Sequence, residues 1–405
     1  MKTVLITAYA VNPFKGSEDG MGWNFIAEVA KSYKVIAITR ENNAPAIEKY
    51  MHENKQSHFA NIQWLYFDLP KAVRFYKKGG RGAMLYFYHW QNAIVGFIQR
   101  KKLQFDLVHN LNFHNDWTPT FLWKLGKPLV WGPVGHHSPI QSQFTNWYSP
   151  TTKLMDFSRK VVKQAVRFLP GWKTAHRHTN LLLKMNTNAV QYANNQNAVI
   201  MPSVGIEVSV TLTARKHIPN TLNLISIGRL VPLKGFDLTI AAFAQVVAKY
   251  PFATLTIVGS GPEEEKLKQY AKELQVFHLI TWHNWMDRSQ LWNLYKAANC
   301  FLFPSHEGAG MVVAEAMKEG LPVVCLDNDG PGELVPANSE LKAKIGSRET
   351  TIKHLAEKLE LLITNPELFN KESEQNIEKV KTELAWNAKG EKLTDYYNTV
   401  LNSVQ

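Results

Sequence analysis

The strongest constraint on this chain is a rhythm that runs through it twice. Short apolar runs alternate with stretches of helical period. The first half carries KTVLITAY, a helical pattern near Gly22 to Ser32, then KVIAITR, NIQWLYFDL, DLVHNLN and PLVWGPVG. The second half carries NLISIGRL, ATLTIVGS, LITWHN, NCFLFPS and LPVVCLD. Between these lie helical patterns near Leu238 to Lys249, Glu263 to Leu274 and Ser289 to Ala298, and one that carries Glu315. Strands apolar on both faces, with helices between them, make parallel sheets covered on both sides. Two passes imply two doubly wound, Rossmann-like α/β domains. The 405 residues are too many for one ordinary core and suit two. The expected boundaries are 1–200, 201–385 and a terminal segment 386–405. The join lies near VIMPSVGIEV, and the last helix, near Gly390 to Leu401, returns to the first domain. Ligands of such sheets sit beyond the carboxyl ends of the strands, so a cleft between the two domains is the expected site.

Four motifs follow strands. In GSEDGMGWNF, Gly16, Gly20 and Gly22 let the backbone turn tightly, and a helix starting near Gly22 would aim its dipole at an anion. A plain glycine-rich turn reads the same way, and the spacing is not that of a dinucleotide fingerprint. In GRLVPLKGFD, Arg229 leaves a strand end and Lys234 follows five residues later. Two cations there would hold a diphosphate and neutralise it as it departs, although solvated loop cations give the same spacing. In VGSGPEEEKLKQ, a proline and glutamates open a helix in the ordinary way. In PSHEGAGMVVAEAM, Glu307 and Glu315 stand eight apart around Gly308, Ala309, Gly310 and Met311. Amides at that helix start would hold ligand oxygens. Glu315 sits among apolar residues, and a carboxylate accepts two neighbouring hydroxyls well.

The second half resembles family 4 of the retaining glycosyltransferases, which have the two-domain GT-B fold. The matching stretches are GRLVPLKG, VGSGPEEEKL, the glutamate pair Glu307 and Glu315, and LPVVCLDNDGPGELV. The first half is similar to a subgroup with a GSE-x-G-x-G-W loop, here GSEDGMGW, and shares DLVHNL and FLWKLGKPLVWGPVG. The resemblance implies transfer of a sugar from a nucleotide diphosphate sugar, UDP- or GDP-linked, with retention of configuration. Arg229 and Lys234 would grip the diphosphate and Glu315 the ribose. Glu307 would lie at the sugar, with the amides of Gly308 to Met311 on its hydroxyls. Gly16 would approach the donor phosphate, and Trp282 and Met286 would face the base. In relatives with D-x-x-H-x-H the second histidine lies near the reacting sugar. Leu111 stands there in this chain, which leaves His109 and His114 as replacements, in catalytic or structural roles. His136 is an acceptor-side candidate. DND at 327–329 imitates a metal motif but falls in a turn, so neither a metal nor any other cofactor is expected. The alternatives are a sugar-nucleotide epimerase and a non-catalytic sugar-nucleotide-binding module.

The formal net charge of +12 suits a polyanionic partner. Zinc-ligand spacing, an RNA-binding aromatic motif and a basic-region heptad are all missing, so nucleic acid is not expected. KAVRFYKKGGRGAMLYFYHWQNAIVGFIQRKK and SRKVVKQAVRFLPGWK mix basic and aromatic residues. They suit an anionic bilayer surface, and ordinary amphipathic helices fit them equally. No apolar run approaches a transmembrane length. The first residues are read as a strand rather than a signal peptide. Cys300 and Cys325 lie in apolar runs, as buried thiols of a reducing compartment do. The expectation is a cytoplasmic protein, peripheral at the inner face of a membrane, acting on a glycan or lipid-linked acceptor in envelope polysaccharide or glycoconjugate synthesis.

Overall fold

The computed structural model describes residues 1–77, 82–111, 115–136, 138–148, 150–168, 170–189, 197–208 and 211–403. Its strands are β1 (Thr3–Thr7), β2 (Lys34–Thr39), β3 (Ile62–Tyr66), β4 (Leu107–Asn110), β5 (Leu129–Val134), β6 (Leu181–Lys184), β7 (Ala198–Ile200), β8 (Leu222–Ile227), β9 (Ala253–Val258), β10 (Ile280–His283), β11 (Cys300–Phe303), β12 (Val323–Leu326) and β13 (Lys342–Ala343). The helices are α1 (Ser17–Val29), α2 (Ala44–Glu53), α3 (Ala83–Arg100), α4 (Pro150–Arg167), α5 (Pro170–Arg177), α6 (Phe236–Val247), α7 (Glu264–Glu273), α8 (Arg288–Ala297), α9 (Met311–Lys318), α10 (Pro331–Leu334), α11 (Arg348–Thr364), α12 (Pro366–Lys379) and α13 (Trp386–Asn402).

The chain divides into two compact units. One holds residues 1–136, 158–205 and 386–405, and the other holds 137–157 and 206–385. The expected first domain of 1–200 therefore loses 137–157 to the second unit. Side chains explain the loss: Phe144 packs 4.8 Å from the His306 ring, and the Ser138 hydroxyl donates to Asp329 at 2.6 Å. Each unit has one parallel sheet, in the orders β3-β2-β1-β4-β5-β6-β7 and β10-β9-β8-β11-β12-β13. In each, the winding direction reverses once, between β1 and β4 and between β8 and β11. Loops leaving the two central strands part there and open a crevice.

Alternation along β1 sets the packing of the first unit. Val4 and Ile6 face the layer that contains α1 and α13, while Leu5 faces α3 with Trp90 and Ile94. Helix α13 lies on α1 closely enough that a Cβ on Gly390 would stand 2.7 Å from Glu28 Oε2. Tyr33 donates to Asn398 at 2.7 Å across the same contact. The terminal helix thus packs within the first unit. Helix α1 begins at Ser17 rather than near Gly22. A Cβ on Gly20 would meet the Lys15 carbonyl at 2.2 Å, so this glycine serves the close passage of the chain onto the helix. Cys300 and Cys325 are fully buried in β11 and β12, and burial pushes both thiols above their ordinary range.

His109 is a core residue, which corrects its candidacy for catalysis. It lies on β4 between Leu107 and Leu111, on the face turned to α13. It is fully buried, with Nδ1 2.5 Å from the Tyr397 hydroxyl and Nε2 2.7 Å from the Gly132 carbonyl. A carbonyl only accepts, so Nε2 carries the proton and Nδ1 accepts from the tyrosine. Burial pushes its pKa down to about 4, and that of buried His176 likewise. Both are neutral when folded and take up a proton near pH 6.5 when unfolded. Stability is therefore complete above pH 6.5 and falls as pH drops toward 4. The slope is about 1.4 kcal/mol per pH unit for each histidine. Urea unfolding followed by tryptophan fluorescence should give a midpoint clearly lower at pH 5 than at pH 7. Equal midpoints would contradict the burial of these two rings.

Candidate functional site

In the second unit the crevice at the β8–β11 reversal is built by three loops that support one another. The loop after β8 runs from Gly228 through a single 3-10 turn, Pro232–Lys234, to Gly235. Gly235 has φ +67°, and a Cβ on it would meet the Pro304 carbonyl at 2.2 Å. Only glycine fits a left-handed residue pressed against the backbone after β11. The His306 amide and the Ser305 hydroxyl both donate to the Leu233 carbonyl, at 2.9 and 3.1 Å. The loop after β12 closes from the other side. Asn328 Nδ2 donates to the Ser305 carbonyl at 2.8 Å, and its Oδ1 accepts from the amides of Gly330 and Gly332. A Cβ on Gly330 would stand 1.7 Å from the Glu307 carbonyl. The DND stretch thus lies in the turn between β12 and α10, with Asn328 and Asp329 engaged in hydrogen bonds.

This scaffold brings Lys234 and Glu307 together. Lys234 Nζ donates to both carboxylate oxygens at 2.6 Å, and the side chains are 18% and 16% exposed. The ammonium also lies 5.1 Å from the centre of the Phe303 ring. Burial raises the Glu307 pKa, and Lys234 pulls against that rise. With both oxygens on one ammonium, the carboxylate is better placed to hold charge than to attack carbon. Arg229 lies on the same loop as Lys234, with an exposed side chain that has no partner among the described residues. Helix α9 starts at Met311 with Gly310 as its N-cap, and no side chain caps it. Its first amides and the positive end of its dipole therefore face the Glu307 loop. Gly308 and Gly310 are buried, and Ala309 is half-buried. Glu315 is a buried residue of α9 and accepts from the Tyr295 hydroxyl at 3.3 Å, which a surface helix glutamate would not do.

Beyond the end of β10 lies a pocket of about 430 Å³ lined by His283, Asn284, Trp285, Met286, Gln290 and neighbouring residues of α8. Met286 is in it. Trp282 is not: it stacks on Phe277 toward the core of the unit, with the rings 6.3 Å apart. Strand alternation sends Trp282 and His283 to opposite faces, which corrects the pairing of Trp282 with Met286. Gln290 was missed, because an amide on a polar helix looks like any solvated residue.

In the first unit, Gly16 is exposed and immediately precedes α1, whose first turn carries Glu18 and Asp19. Those carboxylates already complement the helix dipole and oppose a second anion there. His136 lies just after β5, with Nδ1 2.8 Å from Asp116 Oδ2, and Asp116 is buried. The Trp172 indole donates to the Asp116 carbonyl and Asn186 to the His136 carbonyl, so the pair is firmly held. His114 lies outside the described residues. Among the described residues no group of histidine, cysteine and carboxylate side chains could hold a metal ion, and no helix is long and apolar enough to cross a membrane.

Comparison with known proteins agrees with this picture. Residues 214–381 match the family model described as glycosyl transferases group 1, so the second unit carries a domain of that kind. An uncharacterized glycosyltransferase of Haemophilus influenzae is 34% identical over 155 residues, which is 38% of this chain and 42% of the relative. A GDP-mannose-dependent monoacylated alpha-(1-6)-phosphatidylinositol monomannoside mannosyltransferase of Corynebacterium glutamicum is 32% identical over 175 residues, 41% of this chain and 44% of the relative. The chain thus spans under half the length of these two relatives. Among solved structures, Anabaena HepE in complex with UDP and glucose aligns over 98% of this chain and 100% of its own, with TM-score 0.58 and 15% identity. WaaG, a glycosyltransferase involved in lipopolysaccharide biosynthesis, aligns over 97% and 99%, with TM-score 0.57 and 18% identity. At such identities the likeness concerns the fold, and that fold is GT-B.

Proposed function

We propose that the chain is a retaining glycosyltransferase of family 4 that moves a sugar from a nucleotide diphosphate sugar to a glycan or lipid-linked acceptor. The observation that carries the proposal is the Lys234–Glu307 pair at the β8–β11 reversal, beside the uncapped start of α9. The relatives' names support a nucleotide-linked donor, UDP or GDP. In this reading Lys234 and Arg229 meet the diphosphate and the first amides of α9 meet donor oxygens. Glu315 takes the ribose hydroxyls, and the pocket holding Met286 takes the base. The bond from the anomeric carbon to the diphosphate oxygen breaks, and the acceptor oxygen bonds to that carbon on the same face. The acceptor's proton passes to the departing phosphate. Negative charge grows beside Lys234, Arg229 and the α9 dipole, while positive charge grows on the sugar near Glu307. The proposal assigns no step to a metal. His136, held by Asp116, is proposed for the acceptor side.

A thermal-shift screen against UDP-, GDP- and ADP-sugars tests the donor. A true donor at about 100 times its dissociation constant should add roughly 2.7 kcal/mol of stability. A nucleotide-release assay with and without a membrane glycolipid extract then separates transfer from epimerisation and from binding alone. The proposal stands if release depends on the extract, and it is lost if no nucleotide sugar shifts the melting temperature.

A further inference from the structure

The least explained element of the fold is α4. It is 18 residues long, yet among its described side chains none is buried, and only Lys163 and Val166 are even half-buried. An isolated helix of this length is marginal in water, and surface helices ordinarily gain stability by burying an apolar stripe. Helix α4 has such a stripe and leaves it open. Leu154, Phe157 and Val161 recur at helical spacing, and Phe168 continues the row just past the helix end. Their exposures are 68%, 65%, 49% and 84%. The rest of the helix is basic: five lysines and arginines between residues 150 and 167 against the single acid Asp156.

We infer that α4 is a docking helix for an anionic lipid bilayer, lying in the plane of the interface. Its stripe would enter the headgroup boundary while Lys153 and Lys160 meet lipid phosphates. The charge pattern selects this occupant. A second copy would set one basic helix against another, on a chain of net charge +12, and like charges so placed repel. A bilayer rich in anionic lipid offers apolar depth and negative charge together. This inference concerns the surface and does not depend on the donor chemistry.

The test is flotation of the full chain with vesicles of phosphatidylcholine alone and with added phosphatidylglycerol, without any sugar nucleotide. The protein should float with the anionic vesicles at low salt, and high salt should release much of it. Phe157→Ser combined with Val161→Ser should lower partitioning at least ~10-fold through lost apolar burial. Lys153→Glu combined with Lys160→Glu should lower it on the order of 100-fold. Unchanged melting temperatures show that these exposed substitutions leave the fold intact. Equal flotation with neutral vesicles overturns the inference, and so does wild-type flotation by both double variants. So does a concentration-dependent dimer in lipid-free buffer that Phe157→Ser with Val161→Ser dissolves, because a second copy would then be the occupant.

Discussion

On the proposed function, Lys234→Ala is expected to reduce sugar transfer by on the order of 10³-fold, from the loss of charge neutralisation at a departing diphosphate. The structure adds a second consequence. Glu307 would keep a largely buried carboxylate with no ammonium on either oxygen. Breaking such a pair from one side costs about 3 kcal/mol, because the remaining charge is unmatched. Its pKa would rise further, since burial already raises it and Lys234 opposes that rise. The activity and stability effects separate in the double variant Lys234→Met with Glu307→Gln. Removing both charges should restore most of the stability and none of the transfer. Initial rates and urea unfolding on the same preparations give both readouts. A Lys234→Ala protein that transfers at the wild-type rate would reject the assignment of the site.

Arg215→Ala is expected to destabilise the second unit by about 3 kcal/mol. The side chain lies in the stretch leading to β8, far in sequence from the helices it serves. Its Nε donates to the Glu319 carbonyl at 2.7 Å, and its terminal nitrogens donate to the carbonyls of Tyr295, Lys296 and Ala298 at 3.0, 2.8 and 2.7 Å. One guanidinium thus satisfies the carboxyl ends of both α8 and α9. Those ends carry unpaired carbonyls and the negative pole of the dipole, so a fixed cation there is favourable twice over. Helix α9 bears Glu315, and α8 lines the pocket beyond β10. On the proposed function, loss of Arg215 should therefore also weaken donor binding, although among the described residues none of its contacts is with Lys234 or Glu307. Arg215→Lys should recover only part of the stability, since an ammonium cannot span four carbonyls as the planar fork does. Unfolding midpoints of the two variants decide the matter; a wild-type midpoint for Arg215→Ala would refute the capping role.

How legible the site was depended on whether a residue's role is local. Gly235 and Gly330 stand inside motifs whose loops must run against other backbone, and the sequence already marked those loops. Lys234 and Glu307 were each proposed for the donor, but 73 positions separate them, and nothing in the string showed that they pair. His109 was read for its chemistry. Its neighbours Leu107 and Leu111 sit two positions away on either side, and strand alternation puts all three on one face, so the buried role could have been weighed from that pattern. Trp282 failed on the same point, one residue out of phase with the pocket. The dipole reading of the GSEDGMGW loop rests on a helix starting near Gly22, whereas α1 starts five residues earlier and carries Glu18 and Asp19 in its first turn. Arg215 gave no signal at all, since its partners are carbonyls, which every residue has.

By itself the sequence determined the two-fold alternation of strand and helix, and with it two parallel sheets wound about their central strands. That pattern is local: period two and period 3.6 are written in consecutive residues, and burial on both faces follows from them. The tertiary structure alone decided which charges meet, that residues 137–157 pack with the second unit, and that no described side chain of α4 is buried. These depend on which strands become neighbours when the winding reverses, and that juxtaposition is set by packing between residues tens to hundreds of positions apart.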